Sequence, residues 1–475
     1  MPKSLAQWDK DVLWHPFTQQ SEWASRDPLI IESAKGVWIK DIHGKQYIDG
    51  VSSLWVNVFG HNHPILNRAI EQQLKKMAHT TFLGLTHAPA IELAKKLLDI
   101  APSGLSRVFY SDNGSTAVEV AMKIAYQYWQ LRKGCSQPPS PMRCTGEGWG
   151  EGKLVENRPS SLPSPIRWTG EGIKGKTKFL SMKNGYHGDT LGVVSVGGVD
   201  LFHQRFHHLL FSGFHVTPGN FKEIERVIQI HHREIAAVVM EPLIQGASGM
   251  LVMPKGYLAH VARLCRKFDV LLIIDEVATG FGRTGKMFAV EHENVQPDFL
   301  CVAKSLTGGY LPLAATLTTK RVYQAFLGRF DEFKAFFHGH TYTANPLACA
   351  VAIATLDLYK KNRLLSQVRQ RIIQMKKALN PLRSHPHVKE IRQVGMMVGI
   401  ELVQDKKTGK SYPPGFRMGL KVCDEALKYG VWLRPLGDVI VLMPPLSISK
   451  RELDLLCDAL IRSLEVFNVQ EISSK

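Results

Sequence analysis

Two side chains of opposite charge, Asp275 and Lys304, each stand at the end of an apolar run. Residues 271–274 (LLII) are continuously apolar, as in a strand buried on both faces, and the run stops at two carboxylates, Asp275 and Glu276. A second run, 299–303, ends in Lys304. Open α/β sheets bind ligands beyond the carboxyl ends of their strands, so parallel neighbours would bring Asp275 and Lys304 to one crevice. An amine desolvated there loses basicity and can form a Schiff base, whereas a buried carboxylate requires a lasting cation, such as a protonated pyridine nitrogen. Taken singly, the two read equally well as a structural Asp and an ordinary surface Lys.

Other strings carry weaker chemistry. A strand near 107–110 runs through Asp112, Asn113, Gly114 and Ser115 into a helical pattern; Thr116 and Glu119 suit a capping box, and free N–H groups there favour an anion. Residues 178–182 read as a strand ending in NGYHGD, with Tyr186 and Asp189 in the turn. Another strand ends in Glu241, followed by Gln245; both are equally able to tie down loops. Arg434 follows an apolar strand, where a guanidinium can clamp a carboxylate or serve structure alone.

Gly170–Thr177 satisfies the P-loop string, and LLIIDE downstream suits its partner strand, so a P-loop NTPase is the rival from another class. That motif needs a buried strand before the glycines and a helix after them. Here a proline-broken SSLPSPIRW precedes, and a strand-like KFLSM follows.

The elements that must position these residues divide the chain into an N-terminal segment (1–60), a large domain (61–360) and a small C-terminal domain (361–475). The first contains a hairpin turning at His43-Gly44. Helical periodicity covers 65–77 and 89–99, and an amphipathic helix lies near 417–429. Residues 133–176 are rich in Pro, Gly and Ser and carry a near-duplicate, PSPMRCTGEGWGEGK against PSPIRWTGEGIKGK. Two copies are too few for a repeat architecture, so the tract is expected to be a surface insertion.

Bulk properties exclude several classes. With 475 residues, 44% of them apolar, the chain suits a globular protein of two domains. No apolar run nears the roughly 18 residues of a membrane span, and no signal-peptide core opens the chain, so a cytoplasmic protein is expected. The net charge of +17 comes from bases interspersed with acids, which argues against nucleic acid and for anionic metabolites. Seven cysteines without a C-x-x-C give no zinc site or disulfide framework, and no metal is expected.

From the DE at the strand end through GFGRTGK to the Lys followed by TGG, the central stretch resembles the class III (ω-type) pyridoxal-phosphate aminotransferases. That resemblance, and not the spacing, identifies Lys304 as the Schiff-base lysine and Asp275 as the partner of the ring nitrogen. It implies pyridoxal 5'-phosphate as cofactor and a fold-type-I α/β architecture: a large domain with a mostly parallel sheet and a smaller α/β domain. It assigns Gly114 and Ser115 to the phosphate cup and Tyr186 to stacking on the ring. His340 and Thr341 would reach the phosphate of a partner copy, which implies a homodimer with shared sites. Relatives pass from the QYWQ helix to the next strand within a few residues, so the tract 133–176 departs from the pattern.

WHPFT, SSLW, GHNHP, NGYHGDT, HGHTYTANPLACA and WLRPLGDVIVLMPP extend the resemblance over nearly the whole chain outside that tract. They narrow it to the branch that aminates 8-amino-7-oxononanoate in biotin synthesis. Substrate contacts implied there are Leu54, Tyr186, Asp189, Lys304, Gly339 and Arg434, with Glu241, Gln245 and Phe17 as further candidates. Other ω-aminotransferases, acting on acetylornithine or 4-aminobutyrate, share the cofactor residues. Members of the branch that use S-adenosylmethionine show WHPYT and SSWW, whereas Phe17 and Leu54 here resemble those using lysine, so the donor stays open between the two.

Overall fold

The structure is a computed structural model and describes residues 4–132, 175–199 and 203–468. The near-duplicate tract, apart from its last two residues, and most of the P-loop string lie outside the described residues.

Three short strands come first: β1 (Ile31–Lys35), β2 (Trp38–Asp41) and β3 (Gln46–Asp49). The β2–β3 hairpin turns where expected, with Gly44 at φ 85° and the Asp41 carboxylate accepting the N–H groups of His43 and Lys45. The strands β4 (Leu105–Ser111), β5 (Lys178–Met182), β6 (Phe214–Val216) and β7 (Ile235–Met240) follow, then a two-residue pair β8 (Ile244–Gln245) and β9 (Leu251–Val252). After them come β10 (Leu271–Asp275), β11 (Phe299–Val302) and β12 (Ala314–Thr319).

Seven of these form the central sheet, ordered β4-β12-β11-β10-β7-β5-β6. Only β12 runs against the others. The carboxyl ends of the other six therefore share one edge.

Side chains alternate across a strand, and the core divides accordingly. Leu272, Ile274, Val238, Met240, Leu300 and Val302 face one packed layer. Leu271, Ile273, Val239, Phe299 and Cys301 face the other, which is built on the helix Gly114–Arg132. Burial on both faces is why the runs read as unbroken apolar stretches. The helix start differs from the expected capping box. Asn113 is the cap, accepting the Thr116 N–H at 3.0 Å, because the helix begins at Gly114 and puts Thr116, not Glu119, in its first turn.

The C-terminal part contributes β13 (Val388–Val394), β14 (Met397–Leu402), β15 (Val431–Trp432), β16 (Arg434–Leu436) and β17 (Val439–Leu442). A second sheet runs β13-β14-β17-β16, while β15 joins β3 to complete the N-terminal sheet. The two ends of the chain are thus built into each other. Cys265, Cys301, Cys349, Cys423 and Cys457 are free and buried.

Candidate active site

The shared edge of the sheet gathers the chemistry. β10 and β11 are parallel, with Asp275 opposite Cys301, so Asp275 and Lys304 leave neighbouring strands in one direction. Lys304 has φ 45°, a left-handed backbone that turns the chain into a single helical turn, Lys304–Thr307. Its Nζ stands 4.8 Å from the centroid of the Trp55 ring. Burial lowers the amine's pKa, and the charges of Asp275 and Glu241 do not fully offset it.

A carboxylate and imidazole network surrounds that amine. Asp275 Oδ2 lies 2.7 Å from His187 Nδ1, and Oδ1 accepts the Val277 N–H at 3.0 Å. Burial presses the His187 pKa down, yet the hydrogen bond and charge of Asp275, helped by Glu241, raise it overall. Glu241 is fully enclosed, and burial pushes its pKa up to about 7. Its two oxygens accept the N–H groups of Tyr186 (3.2 Å) and Gly246 (2.8 Å). Tyr186 donates its hydroxyl to Asp189 at 2.7 Å.

The far end of the same cavity is the N-terminus of the helix Gly114–Arg132, whose first-turn N–H groups have no intrahelical partner. A Cβ at Gly114 would lie 2.6 Å from Val277, and one at Gly188 (φ 112°) 2.4 Å from Ser115. Only glycine permits this close approach. Ser115 Oγ pairs with Thr190 Oγ1 at 2.7 Å, and Thr190 donates to Glu119. Between the two ends the cavity encloses about 710 Å3. A phosphorylated pyridine aldehyde fits this arrangement: an anion-binding helix terminus, a buried carboxylate oriented by an imidazole, and a weakly basic amine.

Gly114, Ser115, Tyr186, Asp189, Glu241, Asp275 and Lys304 all line the cavity. Leu54 is 47% exposed and does not line the cavity, while its neighbour Trp55 does. Gln245 lies behind the wall, donating to the Lys183 carbonyl at 3.0 Å. Arg434, on β16, is close enough to act electrostatically on the Tyr186 phenol. Phe17, Gly339 and Thr341 are exposed and His340 half-buried; none of the four lines the cavity. His340 Nε2 lies 3.5 Å from the Asp112 carboxylate. His187 and Trp55 were not singled out from sequence, although each adjoins a residue that was. An imidazole beside a stacking tyrosine was the available signal for His187.

The family described as class III aminotransferases matches residues 20–464. The adenosylmethionine-8-amino-7-oxononanoate aminotransferase of Aquifex aeolicus is 45% identical, over 98% of each chain. A crystal structure of the adenosylmethionine-8-amino-7-oxononanoate aminotransferase of Methanocaldococcus jannaschii superposes with a TM-score of 0.88 at 44% identity, covering 97% of this chain and 98% of that one. An amine transaminase from an uncultivated Pseudomonas species, solved with pyridoxal phosphate bound, gives 0.83 at 32% identity over 96% and 98%. With a family match over almost its full length and a fold shared with solved transaminases, the chain belongs to the class III aminotransferases.

Proposed function

We propose that this aminotransferase converts 8-amino-7-oxononanoate to 7,8-diaminononanoate, a step of biotin synthesis, with pyridoxal phosphate held in the cavity described above. The observation that carries the reading is the pairing of Lys304 and Asp275 at adjacent strand ends, in a chain alike over its whole length to enzymes bearing that substrate's name. When bound, the cofactor supplies an electron sink for the carbanion formed at the amine-bearing carbon.

The protein's own groups do the rest. Gly114, Ser115 and the helix N-terminus hold the phosphate. Asp275, oriented by His187, holds a proton on the ring nitrogen. Tyr186 packs against the ring and Trp55 shields the amine from water. Lys304, made less basic than an ordinary lysine by burial, would be the group that moves a proton at the amine-bearing carbon of the substrate. Arg434 clamps the substrate carboxylate, and Asp189 positions its amino group.

Two copies are proposed to complete the site, because Gly339, His340 and Thr341 sit outside their own chain's cavity. The relatives' names favour S-adenosylmethionine as donor, while Phe17 and Leu54 favour lysine. The purified protein assayed on 8-amino-7-oxononanoate with each donor tests both points. Diaminononanoate formed with one donor selects it; none with either, alongside turnover of acetylornithine or 4-aminobutyrate, overturns the substrate assignment. Light scattering in solution tests the dimer, which a monomeric mass would exclude.

A further inference from the structure

Trp55, the aromatic wall over Lys304, belongs to a stretch whose backbone L-residues avoid. Ser52, Ser53 and Trp55 all have positive φ (53°, 62° and 67°), and Ser53, with ψ −63°, has the strained γ-turn geometry. Residues 51–56 contain no glycine that would relieve it. Neighbouring contacts must therefore hold the conformation, and they are polar, buried at Ser52 and part-buried at Ser53.

Asp49, fully enclosed, accepts the Ser53 N–H at 2.8 Å and the Ser53 hydroxyl at 2.9 Å, and meets His61 Nε2 at 3.0 Å. Ser52 donates to the Met443 carbonyl at 2.6 Å and accepts from Arg283 Nη2 at 3.1 Å. Arg283 is itself wholly buried. Its remaining bonds go to the carbonyls of Asn57 (2.7 Å) and Pro444 (2.6 Å). One guanidinium thus grips the stretch before and after Trp55 and ties both grips to the end of β17. Among the described residues no carboxylate lies within ion-pair distance of it, and burial pushes its pKa down to about 10. A buried cation paired mainly with neutral groups is costly, so a fold keeps it where its geometry is needed.

We infer that Arg283 and Asp49 are positioning residues for the reaction: they hold residues 52–57 in the strained backbone that lays the Trp55 ring over the Lys304 amine. Neither touches the cavity; both act through Trp55. Loosening either grip lets the turn relax and draws the ring away from the amine.

A double-variant cycle on the full-length protein tests this. In the holoenzyme, KM and kcat are measured with 8-amino-7-oxononanoate and either donor. In the cofactor-stripped protein, the rate at which trinitrobenzenesulfonate labels Lys304 is followed by peptide mapping. The kinetic arm rests on the proposed function and the labelling arm does not, so failure of one reading is distinguishable from failure of the other. Trp55→Ala sets the size of the ring's effect.

Arg283→Lys is expected to raise KM roughly fivefold and to speed labelling by a similar factor, and to add almost nothing in the Trp55→Ala background, as for residues coupled through one contact. Ser53→Ala, which spares the guanidinium, should shift both readouts the same way and carries the cycle if Arg283→Lys does not fold. Ser53→Gly should lie nearer the unaltered protein than Ser53→Ala, because glycine adopts the turn without strain. Additive effects in the double variants, or lowered thermal stability with KM and labelling unchanged, would overturn the inference and leave Arg283 a staple of the core.

Discussion

Lys304 and Lys176 each stand over a tryptophan ring, 4.8 Å from Trp55 and 4.4 Å from Trp129, and each adjoins a glycine-rich string. They differ in which end of the sheet they occupy. Lys176 precedes β5 and donates to the carbonyls of Phe268 and Asp269, just before β10 begins, where it remains half-buried. Lys304 follows β11, is enclosed, and faces the carboxylates Asp275 and Glu241. A cation on a ring is ordinary surface packing at the amino ends of the strands. At the carboxyl ends the same contact, desolvated and surrounded by acids, becomes a chemical site.

Removing each lysine is the strongest way to break the comparison. Lys304→Ala should reduce turnover at least about a thousandfold, since among the described residues no second lysine lines the cavity. Lys176→Ala should leave turnover within about twofold, because its bonds end on backbone carbonyls remote from the cavity. Equal losses from the two would show that the ends are not functionally distinct. Next in size, Asp275→Asn should lower kcat by roughly a hundredfold or more while the cofactor still binds, because an amide cannot hold a proton on the ring nitrogen. Steady-state rates and cofactor titration separate those effects.

The carboxyl-end environment also makes a prediction about pH. Glu276 is fully buried, and burial pushes its pKa from 4.5 up to about 7. The fold favours the protonated form, so this stabilising contribution is complete below about 4.5 and is lost as pH rises through about 7. Glutamine stays neutral and can serve the same partners, accepting from Val290 N–H and donating to the Thr279 hydroxyl. Glu276→Gln should therefore gain stability over the unaltered protein between pH 5 and pH 8, by up to about 3 kcal/mol in urea unfolding. A gain that shrinks with rising pH would contradict the assignment.

The smallest effect is expected at the opposite end. Arg132, which precedes the tract 133–176, and Lys176, its last residue, both lie over the Trp129 ring, at 5.5 and 4.4 Å. Replacing 134–175 with a short Gly/Ser linker should shift stability by only about 1 kcal/mol, since closure entropy grows logarithmically with loop length. Activity and thermal melting of the shortened protein check this, and loss of folding would mean that the tract contributes to the core.

What could be read from the chain was local. An unbroken apolar run ending in a charge marks a buried strand and its carboxyl end, so Asp275, Lys304 and Glu241 were legible one at a time. The hairpin at Gly44 and the helix after Gly114 were legible for the same reason, because turn and cap signals act within a few residues. The cap itself was misplaced from Asn113 to Thr116, because several polar residues in a row can each start a helix. Trp55 and His187 were visible as letters, yet nothing nearby says that one faces an amine and the other a carboxylate.

Sequence alone determined the strand ends and the type of each reacting group, because period, burial and charge are written residue by residue. Tertiary structure alone decided the partnerships. His187 meets Asp275 across 88 residues, and Arg283 reaches Ser52 across 231 and Pro444 across 161. Such pairs follow from the crossing order of the strands and from a C-terminal strand that closes the N-terminal sheet, so no local pattern encodes them. The strained turn under Trp55 belongs to the same class: beside the nearby Asp49, its serines are met by two distant segments, at Arg283 and at Met443, that no local pattern announces.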